Sequence, residues 1–403
     1  MGSVIIVGGG PAGVTLAYLL ARRGVAVTLL EKEVSFDRVF RGEALMPLGL
    51  EALAQMNIAI DHLPGRLINS WEMFVANKPS LTVPEPQAEL GQRAVRILSQ
   101  PAYLEYLVSL ARQSARFQLH MGAAVRDLIE EDGRICGVQA TIDGVSQTLR
   151  ADMVVGCDGR GSLLRTRAGL GLELLPESYD VLWFRFPTPA ERQGQTDVLM
   201  MASVANTALA YNSFDDHMRY ALVIPKGGAS AIQPAELPAR LAEPAPAWLA
   251  SHIRALGEQI GTPNRLNVIV GRANQWHKPG LLLIGDAAHP MSPIRAQGIN
   301  LALRDVVVAA NHLTPLLRDN APGVQLDAAA ARIEAERLPE IRRAQALQLR
   351  EARGQFNERW KPFLIWLAGT LGPAMGRYAF AQRAWLAQQT DLRFGTVPVQ
   401  LTV

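Results

Sequence analysis

Three groups of residues in this chain have the types and spacing to hold a charged ligand. The first is Gly8-Gly9-Gly10-Pro11-Ala12-Gly13, close to the start. The second is Asp158-Gly159, followed by Ser162 and Arg165. The third runs from Gly285-Asp286-Ala287-Ala288-His289 through Pro293 and Gln297-Gly298-Ile299-Asn300 to Arg304-Asp305. Glycine turns and helix starts offer unshielded backbone N–H groups, which suit phosphate, and a carboxylate at a strand end suits ribose hydroxyls. The chemistry implied is recognition of a nucleotide. No convincing acid–base dyad or metal set accompanies it, because His217 beside Asp215-Asp216 reads as a polar hairpin turn between two strands.

These residues need elements to carry them. Val4–Val7 is a β-branched run, a helical pattern follows the glycines through Arg23, and a second strand, Val25–Leu30, ends at Glu31. That is G-x-G-x-x-G in its required context, with strand before, helix after and an acid about twenty residues on. Gly8 makes the turn, Gly10 lets a pyrophosphate approach the backbone, and Gly13 lets helix and strand pack closely. Pro11 suits a first helical turn, and Glu31, with Lys32 beside it, is placed for the ribose. Arg41, in Arg41-Gly42-Glu43, is a candidate to reach ribose or phosphate. Gln100, just before a helix expected over Pro101–Ala115, is either a further contact or a plain cap neighbour. Five strand-like runs fill 117–157, with hairpin turns at Asp132-Gly133 and Asp143-Gly144. The buried-strand run Leu281–Ile284 ends in Gly285-Asp286, and a long helix is expected from about Asn300 to Leu317. Together with the opening unit, these features predict a flavin dinucleotide.

The 403 residues suggest two or three domains, and 49% hydrophobic with 19% charged residues suits a large core. Net charge is only +3 and lysine is not clustered, so a nucleic-acid or polybasic lipid surface is not indicated. Cys136 and Cys157 lie in apolar, strand-like surroundings that predict buried reduced thiols. No signal peptide and no run of eighteen apolar residues is present, which predicts a cytoplasmic, soluble protein. The expected organisation is a discontinuous dinucleotide-binding domain (1–175 and 265–320). A β-sheet substrate-binding cap (176–264, with contributions from about 66–100) and a C-terminal helical region (321–403) complete it. Pro79–Pro86 reads as loop. Arg185, Tyr211 and Tyr220 are candidate substrate liners. Phe363–Leu371 is the most apolar exposed candidate. It predicts either a helix packed on the other domains or a homodimer or membrane-surface contact that would make the protein membrane-peripheral.

The motifs GGGPAG at 8–13, D-G-x-x-S-x-x-R at 158–165 and G-D-A-A-H…P…Q-G-x-N…R-D at 285–305 resemble those of the group A flavoprotein monooxygenases. This is the para-hydroxybenzoate hydroxylase-like class, and the third motif is closest to its ubiquinone-biosynthesis hydroxylase branch. The resemblance implies an α/β fold with α+β elements: a Rossmann-type FAD-binding domain of the glutathione-reductase type, an inserted β-sheet cap and C-terminal helices. It implies FAD held by the first and third motifs, Asp286 on the ribityl or pyrophosphate side, and Asp158 in a motif tied to FAD and NAD(P)H. NAD(P)H would be a transient donor, O₂ a co-substrate, and a flavin hydroperoxide the agent hydroxylating an aromatic or polyketide-like small molecule. Gly298, Ile299 and Asn300 would aim helix N–H groups at the flavin, and Pro293 would fix the loop with its carbonyl facing the flavin–substrate gap. Pro293, Gly298 and Arg295 are the expected catalytic contacts. One departure stands out: Arg295-Ala296 lies where relatives carry a small residue and a glycine, so Arg295 either points away or places a cation near the flavin or the substrate. Two rivals share the fold. A geranylgeranyl-reductase-like enzyme would suit the apolar tail. A halogenase would need a W-x-W-x-I-P block, which Trp276-His277-Lys278-Pro279 does not match.

Overall fold

The computed structural model describes residues 2–37, 42–355, 361–376 and 378–403. Short apolar strands assemble into a six-stranded sheet ordered His277–Lys278, Leu281–Leu283, Met153–Gly156, Ser3–Val7, Ala26–Leu30, Phe117–His120. All neighbours are parallel except the first pair. Alternate residues of the central strand serve two cores. Val4 and Ile6 pack with the helices Pro11–Arg22 and Gln297–Arg318, while Ile5 and Val7 pack with the meander strands 124–150. Burial on both faces is why these strands read as unbroken apolar runs. Asp132, Gly133, Asp143 and Gly144 all have positive φ, as the expected hairpin turns require.

The cap is a seven-stranded sheet ordered Asn264–Leu266, Tyr179–Pro187, His217–Pro225, Thr207–Asn212, Asp197–Ala202, Ser70–Val75, Lys78–Pro84. The last strand corrects the loop expected at 79–86. Its prolines fall at the ends of an edge strand, where a missing N–H is tolerated. The helix Lys361–Met375 covers that edge at very close range: a Cβ added to Gly372 would sit 2.0 Å from Ser80 Oγ. Asn264–Leu266 and Gly271–Ala273 return the chain from the cap, and the long helix begins earlier than expected, at Gln297.

Period-2 alternation gives the cap sheet two distinct faces. Phe184, Phe186, Leu199, Met201, Ala210, Tyr220 and Leu222 form a core with the helices Leu237–Ala242 and Ala247–Leu256. Val198 and Tyr211 occupy the opposite face, together with half-buried Trp183, Met200 and Leu209. Beyond the long helix come Gly323–Gln355, Lys361–Met375, Ala379–Gln388 and Thr390–Phe394. Phe363, Leu364, Trp366 and Leu371 on the second of these are exposed, so it packs by one side only. Among the described residues no helix is long and apolar enough to cross a membrane.

Candidate active site

Three strand ends of the parallel sheet, after Val7, Gly156 and Leu283, carry the three motifs side by side. Gly8 takes φ +106°, and a Cβ there would lie 2.3 Å from the Cys157 carbonyl oxygen. A Cβ on Gly13 would lie 2.0 Å from the Gly8 carbonyl oxygen, so glycine is what lets the helix start touch the turn. Gly10 differs: a Cβ there would meet nothing within 4 Å. The cradle is open where a dinucleotide phosphate would need to approach. Glu31 is buried and accepts from the N–H groups of Gly9 (2.6 Å) and Glu33 (2.8 Å), bracing the turn. Lys32 is exposed and paired with Glu33 at 3.6 Å.

The helices Pro11–Arg22 and Gln297–Arg318 each start without a side-chain cap and without an acid in the first turn. Their starts meet at Gly285-Asp286. A Cβ on Gly285 would lie 3.5 Å from that of Ala12, and one on Gly298 would lie 3.7 Å from Asp286 Oδ1. Two positive helix ends therefore flank one carboxylate, an arrangement suited to a phosphate chain with an attached polyol. Arg160 Nε lies 4.0 Å from Asp286. A cavity beside this junction is lined by Gly42, Glu43, Leu45, Leu98, Gln100, Tyr103 and Ile299. Gln100 donates to the Gly42 carbonyl at 3.4 Å. Arg41 lies outside the described residues.

Asp158 and Asn300, like Glu31, use their side chains on the protein itself. Asp158 accepts from Ser162 Oγ (2.6 Å) and the Leu164 N–H (3.1 Å), capping the helix Leu163–Arg167. Arg165 of that helix donates to the Ala287 carbonyl at 2.7 Å, so the second motif buttresses the third. Asn300 accepts from the Met46 N–H (2.9 Å) and donates to the carbonyls of Ala44 (3.2 Å) and Ala296 (2.6 Å). It ties the segment after Gly42 to the helix start. The Pro293 carbonyl, expected to face a ligand gap, accepts from the Ala296 N–H at 3.1 Å. Arg295 turns toward the C-terminal helices, pairing with Glu351 at 2.8 Å and lying 5.2 Å from the Trp385 ring centroid. Its Nη1 also lies 3.7 Å from Met200 Sδ on the inner cap face, so the charge is compensated but stays beside the cap.

Beneath the Gly285 turn is a wholly buried ionic network that sequence reasoning missed. Asp305 accepts from the Gly285 N–H (3.0 Å), meets His289 Nε2 at 2.6 Å and accepts from Arg337 Nε at 2.8 Å. Arg337 also reaches Glu340 at 2.5 Å, and Arg304 reaches the same carboxylate at 3.0 Å. Burial alone would raise the proton affinity of Asp305 and Glu340. For Asp305, His289 and Arg337 reverse that, and for Glu340, Arg337 and Arg304 do, so both sit below their ordinary values. The i,i+3 pair Arg337/Glu340 lies in a helix with charges all round, and nothing local distinguishes it from a solvated pair.

The cap brings a second polar cluster to the cavity wall. Glu43 accepts from Ser213 Oγ (2.7 Å), Arg219 Nη2 (3.0 Å) and, more weakly, Tyr211 OH (3.4 Å). Burial raises the proton affinity of Glu43 above its ordinary value, against the opposing pull of Arg219 and Ser213. Glu43 was not singled out from sequence, although its place after Arg41-Gly42 was the available signal. Among the expected substrate liners, Tyr211 is on this inner face. Arg185 shares the face by register but sits exposed at its rim, paired with Asp215 at 3.1 Å. Tyr220 is a correction: it points to the outer face and donates to the Leu241 carbonyl at 2.7 Å beneath a helix. Alternation separates the two faces of a strand but does not say which of them faces the cavity.

Comparison with known proteins places this arrangement. The family model described as "FAD binding domain" matches residues 1–345. The chain is 36% identical over 365 residues to a 6-methylpretetramide 4-monooxygenase of Streptomyces rimosus, covering 87% of this chain and 83% of that protein. It is 30% identical to the ubiquinone hydroxylase UbiL of Rhodospirillum rubrum over 78% of this chain and 73% of that one. In structure it is similar to the p-nitrophenol 4-monooxygenase PnpA of Pseudomonas putida, with TM-score 0.78 and 18% identity over 98% of this chain and all of that one. At that identity, the last likeness speaks for the fold.

Proposed function

The chain belongs to the FAD-binding domain family of group A flavoprotein monooxygenases, and we propose that it hydroxylates a phenolic or polyketide-like aromatic. It is an FAD-dependent oxidoreductase with a reduced nicotinamide as electron donor and O₂ and a small molecule as reactants. Bound FAD supplies hydride storage and the reaction with O₂. What remains for the chain's own residues is to hold that group, exclude water and orient the substrate.

In this reading the open cradle at Gly10 and the first turns of the two uncapped helices hold the pyrophosphate. Ala12, Gly13 and Gly285 shape the wall there, Glu31 takes the ribose, and Asp286 takes the ribityl chain or pyrophosphate. Gln100, Ile299 and the backbone at Gly298 lie along the same cavity, and Arg41 is assigned to it from sequence alone. Residues 1–175 and 265–320 then form the FAD-binding domain, 176–264 with Ser70–Pro84 the cap, and 321–403 the C-terminal helical region. Trp183, Met200 and Leu209 of the inner cap face exclude water above the flavin. Glu43, held by Arg219 and Ser213, accepts a hydrogen bond from a substrate hydroxyl, and Tyr211 flanks it.

The observation that carries this is an open glycine cradle together with a cavity whose wall residue Glu43 is paired to the buried Arg219 of an apolar cap face. Such a pocket, apolar with a few convergent polar groups, suits a flat hydroxylated ring system. The exposed Phe363–Leu371 face is assigned to contact with a second copy or a membrane surface, and the enzyme to the cytoplasm, where NAD(P)H is available. The test is anaerobic titration with NADH and NADPH, following flavin bleaching with and without phenolic, quinone-precursor and polyketide-like compounds. Bleaching accelerated by a phenolic compound, followed by its O₂-dependent hydroxylation, supports the reading. Saturation of an isoprenoid double bond without O₂ consumption would replace it with the reductase alternative, and chloride-dependent product with the halogenase.

A further inference from the structure

Two consecutive residues with side chains, Arg295 (φ 59°, ψ 22°) and Ala296 (φ 52°, ψ 39°), adopt left-handed backbone angles. L-residues avoid this conformation because Cβ crowds the following carbonyl, and neither residue is glycine, asparagine or aspartate. The loop must therefore be held from outside. Gln348 donates to the carbonyls of Ser292 (3.0 Å) and Ile294 (2.6 Å). Gln297, almost fully buried, donates to the carbonyls of Arg295 and Leu392, each at 2.9 Å. The Arg295 guanidinium closes the arrangement, pairing with Glu351 and lying over the ring of Trp385. Gln348, Glu351, Trp385 and Leu392 all belong to the C-terminal helices, and none lines the cavity bounded by Gly42, Gln100 and Ile299. Immediately after the strained pair, the uncapped helix Gln297–Arg318 begins.

We propose that Arg295 is a positioning residue. By anchoring its loop to Glu351 and Trp385, it holds Ala296 left-handed and so aims the start of the helix Gln297–Arg318 at the flavin. The C-terminal helices thereby tune how tightly FAD is held and at what potential it is reduced. This rests on the FAD-binding reading given above. It also accounts for the Arg-Ala pair: an anchored side chain replaces the conformational freedom a glycine at 296 would supply.

The test is a rescue experiment on the full-length protein with Arg295→Ala, Ala296→Gly and the double variant. FAD dissociation is followed by flavin fluorescence, and the midpoint potential of the bound flavin by redox titration. Arg295→Ala is expected to weaken FAD binding about tenfold, the equivalent of roughly 1.4 kcal/mol, and to shift the potential. Ala296→Gly alone is expected to leave both near wild type. The double variant is expected to recover to within about threefold of wild type, since a tenfold change is already the full clamp effect. Loss without rescue, or no loss at all, overturns the proposal, because the side chain would then act through its packing alone or not at all. If Arg295→Ala does not fold, Glu351→Gln with and without Ala296→Gly poses the same question. A wild-type protein that takes up no FAD would instead overturn the functional reading itself.

Discussion

The molecule pairs acids with arginines beneath the Gly285 turn and at the cap, and these two clusters differ in kind. Beneath the Gly285 turn, Asp305, His289, Arg337, Glu340 and Arg304 are all at most 4% exposed. At the cap, Glu43 and Arg219 are buried, but Asp215 is partly open and Arg185 is more than half exposed. The first cluster joins the turn, the long helix and the helix Gly323–Gln355, and it reaches the tail through the Thr396 N–H at 3.1 Å. The second joins the cap to a loop of the FAD-binding part. A dry, wholly buried network fixes backbone. A half-wet one between the cap and a loop can rearrange when a hydroxyl enters. The difference teaches where the site is rigid and where it can adjust.

The hardest way to break that comparison is Arg337→Met. It leaves Asp305 and Glu340 buried with one cationic partner removed, which should cost about 3–5 kcal/mol. A native protein has only about 5–15 kcal/mol of stability in all, so little folded protein should survive moderate denaturant. Unfolding midpoints in urea check this, and a variant as stable as wild type would mean that the network is not what fixes the turn. Glu43→Gln should be milder. It keeps the shape of the side chain, so FAD affinity should hold within about twofold, while KM for a hydroxylated substrate rises about tenfold, as for one hydrogen bond to a charged group. If FAD affinity falls instead, Glu43 belongs to the cofactor side.

pH separates the clusters by sign. Asp305 and Glu340 are depressed, so their contribution is present above the ordinary values of 3.8 and 4.5 and is lost only as pH falls below them. Glu43 is raised, so its contribution is full below 4.5 and is lost as pH climbs through the raised value. Above pH 5 the contributions of Asp305 and Glu340 should be constant while that of Glu43 changes. The melting temperature of wild type should carry a Glu43-dependent gain on going from pH 7 to pH 5 that Glu43→Gln removes. Equal pH responses in the two proteins would remove Glu43 from the comparison.

Much of this was legible in the chain itself, because the opening unit and the Gly285-Asp286 turn use local rules: glycine where backbones touch, open space at Gly10, proline at a helix start. The cap was legible as a β-sheet. What escaped was non-local. Arg337 stands 32 residues from Asp305 in sequence yet 2.8 Å from it in space. Lys78–Pro84 hid behind two prolines that only an edge position permits. The side chains of Asp158 and Asn300 hold the protein together, which no motif distinguishes from holding a ligand.

The smallest effect tests the face assignment directly. Tyr220→Phe removes one hydroxyl that donates to the Leu241 carbonyl under the helix Leu237–Ala242. An uncharged hydrogen bond contributes about 1 kcal/mol net, so the melting temperature should drop by a few degrees at most. Because the ring lies on the outer face, kcat and KM should stay within about twofold of wild type, well under the tenfold that 1.4 kcal/mol would bring. Tyr211→Phe, on the neighbouring strand and the opposite face, removes a weaker 3.4 Å contact to Glu43 and should barely change stability while altering KM. One hydroxyl lost from each face thus moves stability alone or substrate binding alone. If Tyr220→Phe changes KM as much as Tyr211→Phe does, the cavity lies on the wrong side of the cap sheet as described, and the wall built from Trp183, Met200 and Leu209 must be given up.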